Sequence, residues 1–359
     1  MHFVEPKRHL HLDNMELKKH FPACYVELPP ETEGRRAAFY LAAEEYIADQ
    51  LPPGSYFLTW QLRPTVVMGR NQVMHQEVDV DFCHREGIDI IRRRSGGGAI
   101  FADERNIMTS LITEDAPVEV LFREYAEAVA QALRQMGAPA VVAGRNDIVL
   151  RSDEVKSDEV GSQPRKVCGN AFYKKTNRCI AHGTMLYDTN PRLMEGALHP
   201  DVSKLKQKGV RSVRSRIGLL KDHLPFGVGE LRRRLRLLLC NRFITLSDKE
   251  VHEIEQLEQG YYAADFFYGS TVHSDVVRSA RIPGCGQVEL CFRLAGSVVA
   301  DVVLRGDFFD LGQAQDRFAQ TLVGQAFTPE TLAQAIRECH PERSIRGLSE
   351  EALIQLISD

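Results

Sequence analysis

Arg92-Arg93-Arg94-Ser95-Gly96-Gly97-Gly98-Ala99-Ile100-Phe101 concentrates more charge beside more backbone freedom than any other stretch of this chain. Glycine reaches positive φ and lets a bound molecule approach the main chain closely. Successive exposed N–H groups form a concavity that takes anions, and arginine adds bidentate donors for carboxylate or phosphate. One reading is a loop that holds an anionic small molecule. The other is a tight glycine turn between strands with a solvated basic edge, and a triple glycine alone fits that turn better.

The chain has 359 residues, which predicts one large domain and a smaller one. Hydrophobic residues make up 43% and charged residues 26%, as in an ordinary globular protein. Lys plus Arg is 45 and Asp plus Glu is 49, a net charge of −4, so no general nucleic-acid affinity is expected. Eight scattered cysteines without a Cys-x-x-Cys pair argue against a disulfide framework or a structural zinc, and fit a reducing cytoplasm. No apolar run approaches the roughly 20 residues of a membrane span. The N-terminus lacks an apolar core of the secretory kind, and its His2, His9, His11 and His20 read as part of a polar tail.

Outward from the glycines, residues 35–51 read as a helix, stopped by Pro52-Pro53-Gly54. Strands follow at 55–62 and 64–69, the second ending in Gly69-Arg70-Asn71-Gln72, with a short helix over 80–86. Ile88–Ile91 is a brief strand into the glycine loop, and Ile107–Thr113 is a strand beyond it. Val118–Met136 is an amphipathic helix ended by Gly137.

Two polar turns then open apolar strands: Gly144-Arg145-Asn146-Asp147 before Ile148, and Arg165-Lys166 before Val167-Cys168-Gly169-Asn170-Ala171-Phe172. Between them Ser-Asp-Glu-Val occurs twice, at 152–155 and 157–160, and reads as a solvated loop. His182-Gly183-Thr184 interrupts another strand, where the glycine suggests that a ligand or a second backbone comes close. Residues 204–216 are rich in Lys and Arg around Gly209, which fits a solvated face or a loop that closes over phosphate. Residues 231–239 make a helix with a basic face and a leucine face. A second unit begins near Ser247, whose spacing to Glu250 fits a capping box. It continues with a hairpin through Ala295-Gly296 and helices at 311–320, 329–336 and 349–357, a small α+β unit.

Five stretches together resemble the lipoate–protein ligases of the bacterial A type: RRRSGGGAIFAD, GRNDIVL, RKVCGNAF, HGTMLYD and KLKQKGVRSVRSRI. Gly306-Asp307-Phe308-Phe309 is similar to part of that family's accessory C-terminal domain. The resemblance implies an α/β (α+β) catalytic domain of biotin-ligase-like fold: a mixed, mostly antiparallel sheet flanked by helices, plus a small α+β accessory domain. It divides the chain into an N-terminal extension (1–34), a lipoate- and adenylate-binding domain (35–245) and the accessory domain (247–359). The implied reaction joins lipoate and ATP into lipoyl-AMP, then moves the lipoyl group to a lysine of a lipoyl domain or a glycine-cleavage H protein. It is expected in the cytoplasm, with no nucleic acid and no membrane as partner.

By this resemblance Lys166 is the catalytic cation. Arg93, Ser95, Gly96, Gly97, Gly98 and Ala99 match the lipoate and adenylate loop. Asn146 and Asp147 match the nucleotide side, with Asp147 as a Mg²⁺ ligand. Gly169 and Ala171 lie in the lysine's motif, His182, Gly183 and Thr184 match the acyl-pocket wall, and Arg214 belongs to the loop over the adenylate. Four departures stand out: Ala102 where His is common, Arg105 where Gly is usual, Asp265-Phe266-Phe267-Tyr268-Gly269 where a tryptophan is common, and Cys168 in place of Ser. The last admits an alternative, a lipoyl or octanoyl transferase forming a thioester on Cys168 without ATP. A transferase taking pre-made lipoyl-AMP, or a non-catalytic binder of lipoyl domains, completes the set.

Overall fold

The computed structural model describes residues 23–144, 146–151, 164–175, 177–199, 217–269 and 273–358. The N-terminal histidines, the duplicated Ser-Asp-Glu-Val, most of the basic stretch and Arg214 lie outside the described residues.

Fourteen strands form among the described residues: β1 (Ala23–Glu27), β2 (Tyr56–Trp60), β3 (Thr65–Met68), β4 (Asp89–Arg92), β5 (Ile100–Ala102), β6 (Asn106–Glu114), β7 (Ala140–Ala143), β8 (Asp147–Leu150), β9 (Arg165–Lys174), β10 (Arg178–Leu186), β11 (Cys240–Thr245), β12 (Val276–Ile282), β13 (Gly286–Ala295) and β14 (Val298–Gly306). Eight of them make one sheet in the order β11-β1-β2-β6-β10-β9-β8-β7. β11, β1 and β2 run parallel, and every other neighbouring pair in that sheet is antiparallel. The expected mixed, mostly antiparallel sheet is therefore present. β4-β3-β5 is a separate small sheet, and the glycine loop is its connection between β4 and β5.

Two apolar layers sandwich the large sheet. The helix Ala37–Gln50 buries Phe39, Ala42, Ala43, Tyr46 and Ile47 against Leu58, Trp60, Met108, Ile112 and Ile180. The helices Val118–Gln135 and Val228–Leu239 bury Tyr125, Val129, Leu133, Leu231 and Leu235 against Phe57, Leu111, Ala181 and Met185 on the other face. Strand residues alternate between faces, so even-numbered positions of β10 face the first helix and odd-numbered ones face the other two.

Several elements differ from the sequence expectation. Ala23–Glu27, within the stretch expected to precede the catalytic unit, is a buried internal strand. β11 follows the helix Val228–Leu239 without a break: the leucine run ends in the helix, and Cys240 and Ile244 bury the strand. β12, not among the expected strands, has a half-exposed pattern with arginines at 278 and 281. The helix expected from Leu311 starts at Ala314, since the Asp310 carboxylate accepts from the Gly312 and Ala314 N–H groups and Gln313 takes φ 58°. The Ser247–Glu250 capping box is formed as expected. Beyond it, β12-β13-β14 is covered by the helices Ala314–Leu322, Pro329–Cys339 and Glu350–Ser358 around Phe292, Phe308 and Phe318.

Candidate active site

A cavity of about 420 Å³ opens on the face of the large sheet that carries His182 and Thr184. Its apolar lining is Leu41, Trp60, Val67, Ile100 and Met108, and its polar lining includes Asn146, Asp147, Lys166 and His182. Gly97, Gly98, Ala99, Gly169, Ala171 and Thr184 complete the walls among the expected residues, and Arg93 touches the lining. An apolar depth with a few convergent polar groups is the ordinary form of a small-molecule site.

Lys166 reaches this cavity through a register shift. Ile148 pairs with Cys168 and Val149 with Lys166, which leaves Val167 opposite no residue of β8. Val167 and Cys168 are consecutive, yet both enter the core on the reverse face. The extra residue is a bulge, which re-aims the side chain beside it. Lys166 thus turns to the cavity, where its Nζ lies 2.7 Å from Asp147 Oδ1. Gly169, paired with Asp147, makes room: a Cβ there would run into the Lys166 ammonium.

The arginine run has a different role from the one its charge suggested. Arg92 is 1% exposed and donates to the carbonyls of Gly69, Arg70, Gln72, Phe267 and Tyr268. Arg93 donates to Ser95 Oγ and to the carbonyls of Val67, Gly96 and Gly98. Burial pulls both guanidiniums down to about 10, which leaves them charged at neutral pH. Arg94 pairs with Glu45 at 2.7 Å and lies between the rings of Tyr261 and Phe266. A guanidinium has five donors; four from Arg93 are committed inside the protein, so Arg93 staples the glycine loop while it also touches the cavity lining.

Ser95 and Gly96, also expected at the ligand, stand behind it. Ser95 Oγ is 2.8 Å from His182 Nε2, and His182 Nδ1 is 3.0 Å from Glu44 Oε2. Glu44 further accepts from Ser110, which accepts from the Trp60 indole at 2.9 Å. Glu44 is 3% exposed and sits beside Glu45 in a helix that also carries Asp49, so nothing local in the sequence separates it from the other carboxylates. This chain fixes the His182 ring in the cavity wall. Gly183 is likewise corrected. It belongs to the odd face of β10, away from the cavity, and a Cβ there would run into Asn170 Oδ1.

The triple glycine is tight because another part of the chain rests on it. Gly97 N donates to Phe308 O at 3.0 Å, and a Cβ on Gly96 would run into that same oxygen. Gly97 has φ 88°. Phe309 packs with Phe122 and Phe172 and lines the cavity, as do Arg281 and Asp307, so the C-terminal unit completes the site. These residues carried no site role in the sequence reading.

Cys168 does not present a nucleophile. It is fully buried on the reverse face, where burial pushes its thiol up to about 12. A reactive cysteine needs an exposed, electropositive setting that favours thiolate.

The family model described as the lipoyl protein ligase A/B catalytic domain matches residues 36–237, more than half of the chain. The chain belongs to the lipoate–protein ligase family. A second model, the bacterial lipoate protein ligase C-terminus, matches residues 271–357. Lipoate–protein ligase 1 of Staphylococcus aureus is 30% identical over 327 residues, covering 89% of this chain and 95% of that protein. A lipoate–protein ligase of Bacillus subtilis is 28% identical over 329 residues, covering 88% and 95%. Among solved structures, a Plasmodium falciparum protein in complex with lipoate superposes with a TM-score of 0.71 at 16% identity, over 88% of this chain and 94% of that one. The bipartite lipoate protein ligase of Thermoplasma acidophilum gives 0.58 at 24%, over 72% and 100%. Both likenesses concern the fold. As a lipoate–protein ligase, the chain is an enzyme of protein modification.

Proposed function

We propose that this ligase joins lipoate to ATP as lipoyl-AMP and then acylates a lysine of a lipoyl-accepting domain. The observation that carries the reading is that the Lys166–Asp147 pair shares one cavity with the apolar Leu41, Trp60, Val67, Ile100 and Met108. An apolar depth suits an acyl chain, and a compact cation beside it suits the charge that moves during acyl activation. In the first step a lipoate carboxylate oxygen bonds to the α-phosphorus and pyrophosphate leaves with the electrons of the broken P–O bond. Two anions must meet, and the Lys166 ammonium offsets their repulsion and the charge of the transition state. Gly97, Gly98 and Ala99 bring main chain close to the ligand. His182, held by Ser95 and Glu44, and Thr184 shape the acyl wall.

The fit to Mg²⁺ rests on the donor set. Asp147 and Asp307 both put a carboxylate on the cavity wall, Asp307 already engaged by Gln287 N and Arg281, and no group of three metal-ligating side chains forms among the described residues. That suits an ion sharing its ligands with phosphates. When bound, Mg²⁺ would neutralise phosphate charge, and Asp147 would hold it. In the second step an acceptor lysine amine bonds to the acyl carbon, AMP leaves, and the amine gives up a proton. An E2 lipoyl domain, of the kind described with the Thermoplasma protein, is the acceptor class we propose, with a glycine-cleavage H protein as the other candidate.

For the division into catalytic and accessory parts we propose boundaries shifted from 35 and 247. The catalytic part includes Ala23–Glu27, an internal strand of its sheet, and Ile254 and Tyr261, which join its core. The accessory part follows Tyr268, with the C-terminal family model matching from 271. Eight free, buried cysteines support a reducing compartment, for which the cytoplasm is the proposal. No helix among the described residues is long and apolar enough to cross a membrane. The test is incubation with lipoate, ATP and Mg²⁺, following pyrophosphate release and the mass of an apo lipoyl domain. Release coupled to lipoylation supports the reading. Lipoylation from supplied lipoyl-AMP alone, without pyrophosphate from ATP, overturns it.

A further inference from the structure

The reverse face of the sheet, directly behind the Lys166–Asp147 pair, carries a second set of contacts. Asn170 Nδ2 donates to Asn146 O at 2.9 Å, and the Asn170 main-chain N donates to the same oxygen at 2.9 Å. Asn146 Nδ2 returns a bond to Asn170 O at 2.7 Å. A carbonyl oxygen has two lone pairs, so both Asn146 acceptor sites are filled from one residue. The other end of the carboxamide, Asn170 Oδ1, accepts from Cys168 Sγ at 3.3 Å. Turning the amide over would set Oδ1 against Asn146 O and Nδ2 against the thiol proton. The acceptor-only Asn146 carbonyl fixes this orientation, and the Cys168 thiol supplies the proton that the outward-turned Oδ1 accepts. Gly183 faces Asn170 across β9 and β10 and leaves the carboxamide its space. A Cβ at 183 would run into Oδ1 and stand 3.0 Å from Cys168 Sγ. Both Cys168 and Asn170 are buried, so a lost partner is not replaced by water.

We propose that Cys168, Asn170 and Gly183 form a latch on the reverse face that fixes the Asn146–Asp147 turn and so holds the Asp147 carboxylate against the Lys166 ammonium. All three are positioning residues that act through Asp147. By the alternation of β9, Gly169 and Ala171 line the cavity and Cys168 enters the core; Asn170 also touches the cavity lining, but its carboxamide turns to the Cys168 thiol. The burial that pushes the Cys168 thiol up to about 12 also keeps its proton in place as a donor across the physiological range. Serine at this position would donate equally, and alanine would not. This explains the Cys168 departure without a thioester.

Because the latch acts through Asp147, its kinetic consequence rests on the adenylate-forming reading proposed above. The experiment compares Cys168→Ala, Cys168→Ser and Gly183→Ala in the full chain by two readouts. Hydrogen–deuterium exchange over residues 146–150 reports the turn itself. Pyrophosphate-release kinetics report its effect on Mg-ATP and on lipoate separately. Cys168→Ala and Gly183→Ala are expected to speed exchange in that segment and raise the KM for Mg-ATP about tenfold. The KM for lipoate should stay within about twofold, and Cys168→Ser should restore both readouts. If Cys168→Ser is as impaired as Cys168→Ala, side-chain size rather than the donated proton is at work and the latch is refuted. Unchanged exchange and unchanged KM in both Cys168→Ala and Gly183→Ala refute it equally. A wild-type protein that releases no pyrophosphate sinks the adenylate reading instead, and the exchange comparison then decides the latch alone.

Discussion

Lys166 Nζ lies 2.7 Å from Asp147 Oδ1, and the two side chains reach one cavity from strands that a bulge at Val167 has put out of step. Without that extra residue Lys166 would share the face of Cys168 and enter the core. The pair balances its own charge before substrate arrives. An incoming phosphate and a divalent cation would divide it, the ammonium going to the phosphate and the carboxylate to the metal.

Lys166→Ala is expected to slow pyrophosphate release at least about a hundredfold, the scale of losing one preorganised charge from a water-poor site. Asp147→Asn should raise the Mg²⁺ concentration needed for half-maximal rate. Initial rates over a Mg²⁺ series check both, and a Lys166→Ala rate within about tenfold of wild type counts against the assignment.

Arg93→Ala should act first on stability. It removes four hydrogen bonds from a buried guanidinium and leaves the carbonyls of Val67, Gly96 and Gly98 without that donor. A loss of at least about 3 kcal/mol is expected, with Arg93→Lys a poor rescue because an ammonium lacks the planar fork. Urea unfolding measures it. A fully stable Arg93→Ala protein with only a raised lipoate requirement would restore the ligand-contact role.

Alkylation tests the thiol. Burial pushes the Cys168 thiol up to about 12, so at pH 9 it stays protonated in the native protein, whereas in unfolded chains much of it is thiolate. Iodoacetamide at pH 9 should spare Cys168 in the native protein and label it in urea, read by peptide mass mapping. Rapid native labelling with loss of lipoylation would revive the thioester route.

Phe309→Ala removes a ring packed with Phe122 and Phe172 and opens the cavity wall that the C-terminal unit supplies. About 3 kcal/mol of stability should be lost, together with a weaker apparent affinity for substrate. A variant that unfolds like wild type in urea and keeps its substrate KM would detach that unit from the site.

The sequence carried the elements well where periodicity was long or punctuation clear. The helix Val118–Gln135 with Gly137 beyond it, the Ser247–Glu250 box and the turn at Gly296 all follow from local chemistry. Lys166, Asp147, His182 and Thr184 were marked by polar residues breaking apolar strands, and the structure brings all four to one cavity. Glu44, Trp60, Arg281, Asp307 and Phe309 were not legible as site residues. Each belongs to a segment whose local pattern has another explanation, and each meets the cavity only through contacts far away in sequence.

What the sequence determined alone was the inventory: the strands and helices, the glycines, and the charged residues set at strand ends. Local preferences and side-chain chemistry act over a few residues, so they are written in order along the chain. What only the tertiary structure decided was where those charges point. Arg92, Arg93 and Arg94 read as three anion-binding cations, yet they bond to carbonyls, Ser95 and Glu45, because buried polar groups of distant segments need donors. Gly96 reads as part of a ligand cradle, yet Phe308 takes the space beside it, and Gly97, which does line the cavity, is held by the same carbonyl from more than two hundred residues away. Lys166 reaches the cavity by a single-residue register shift, and register is a property of two strands together.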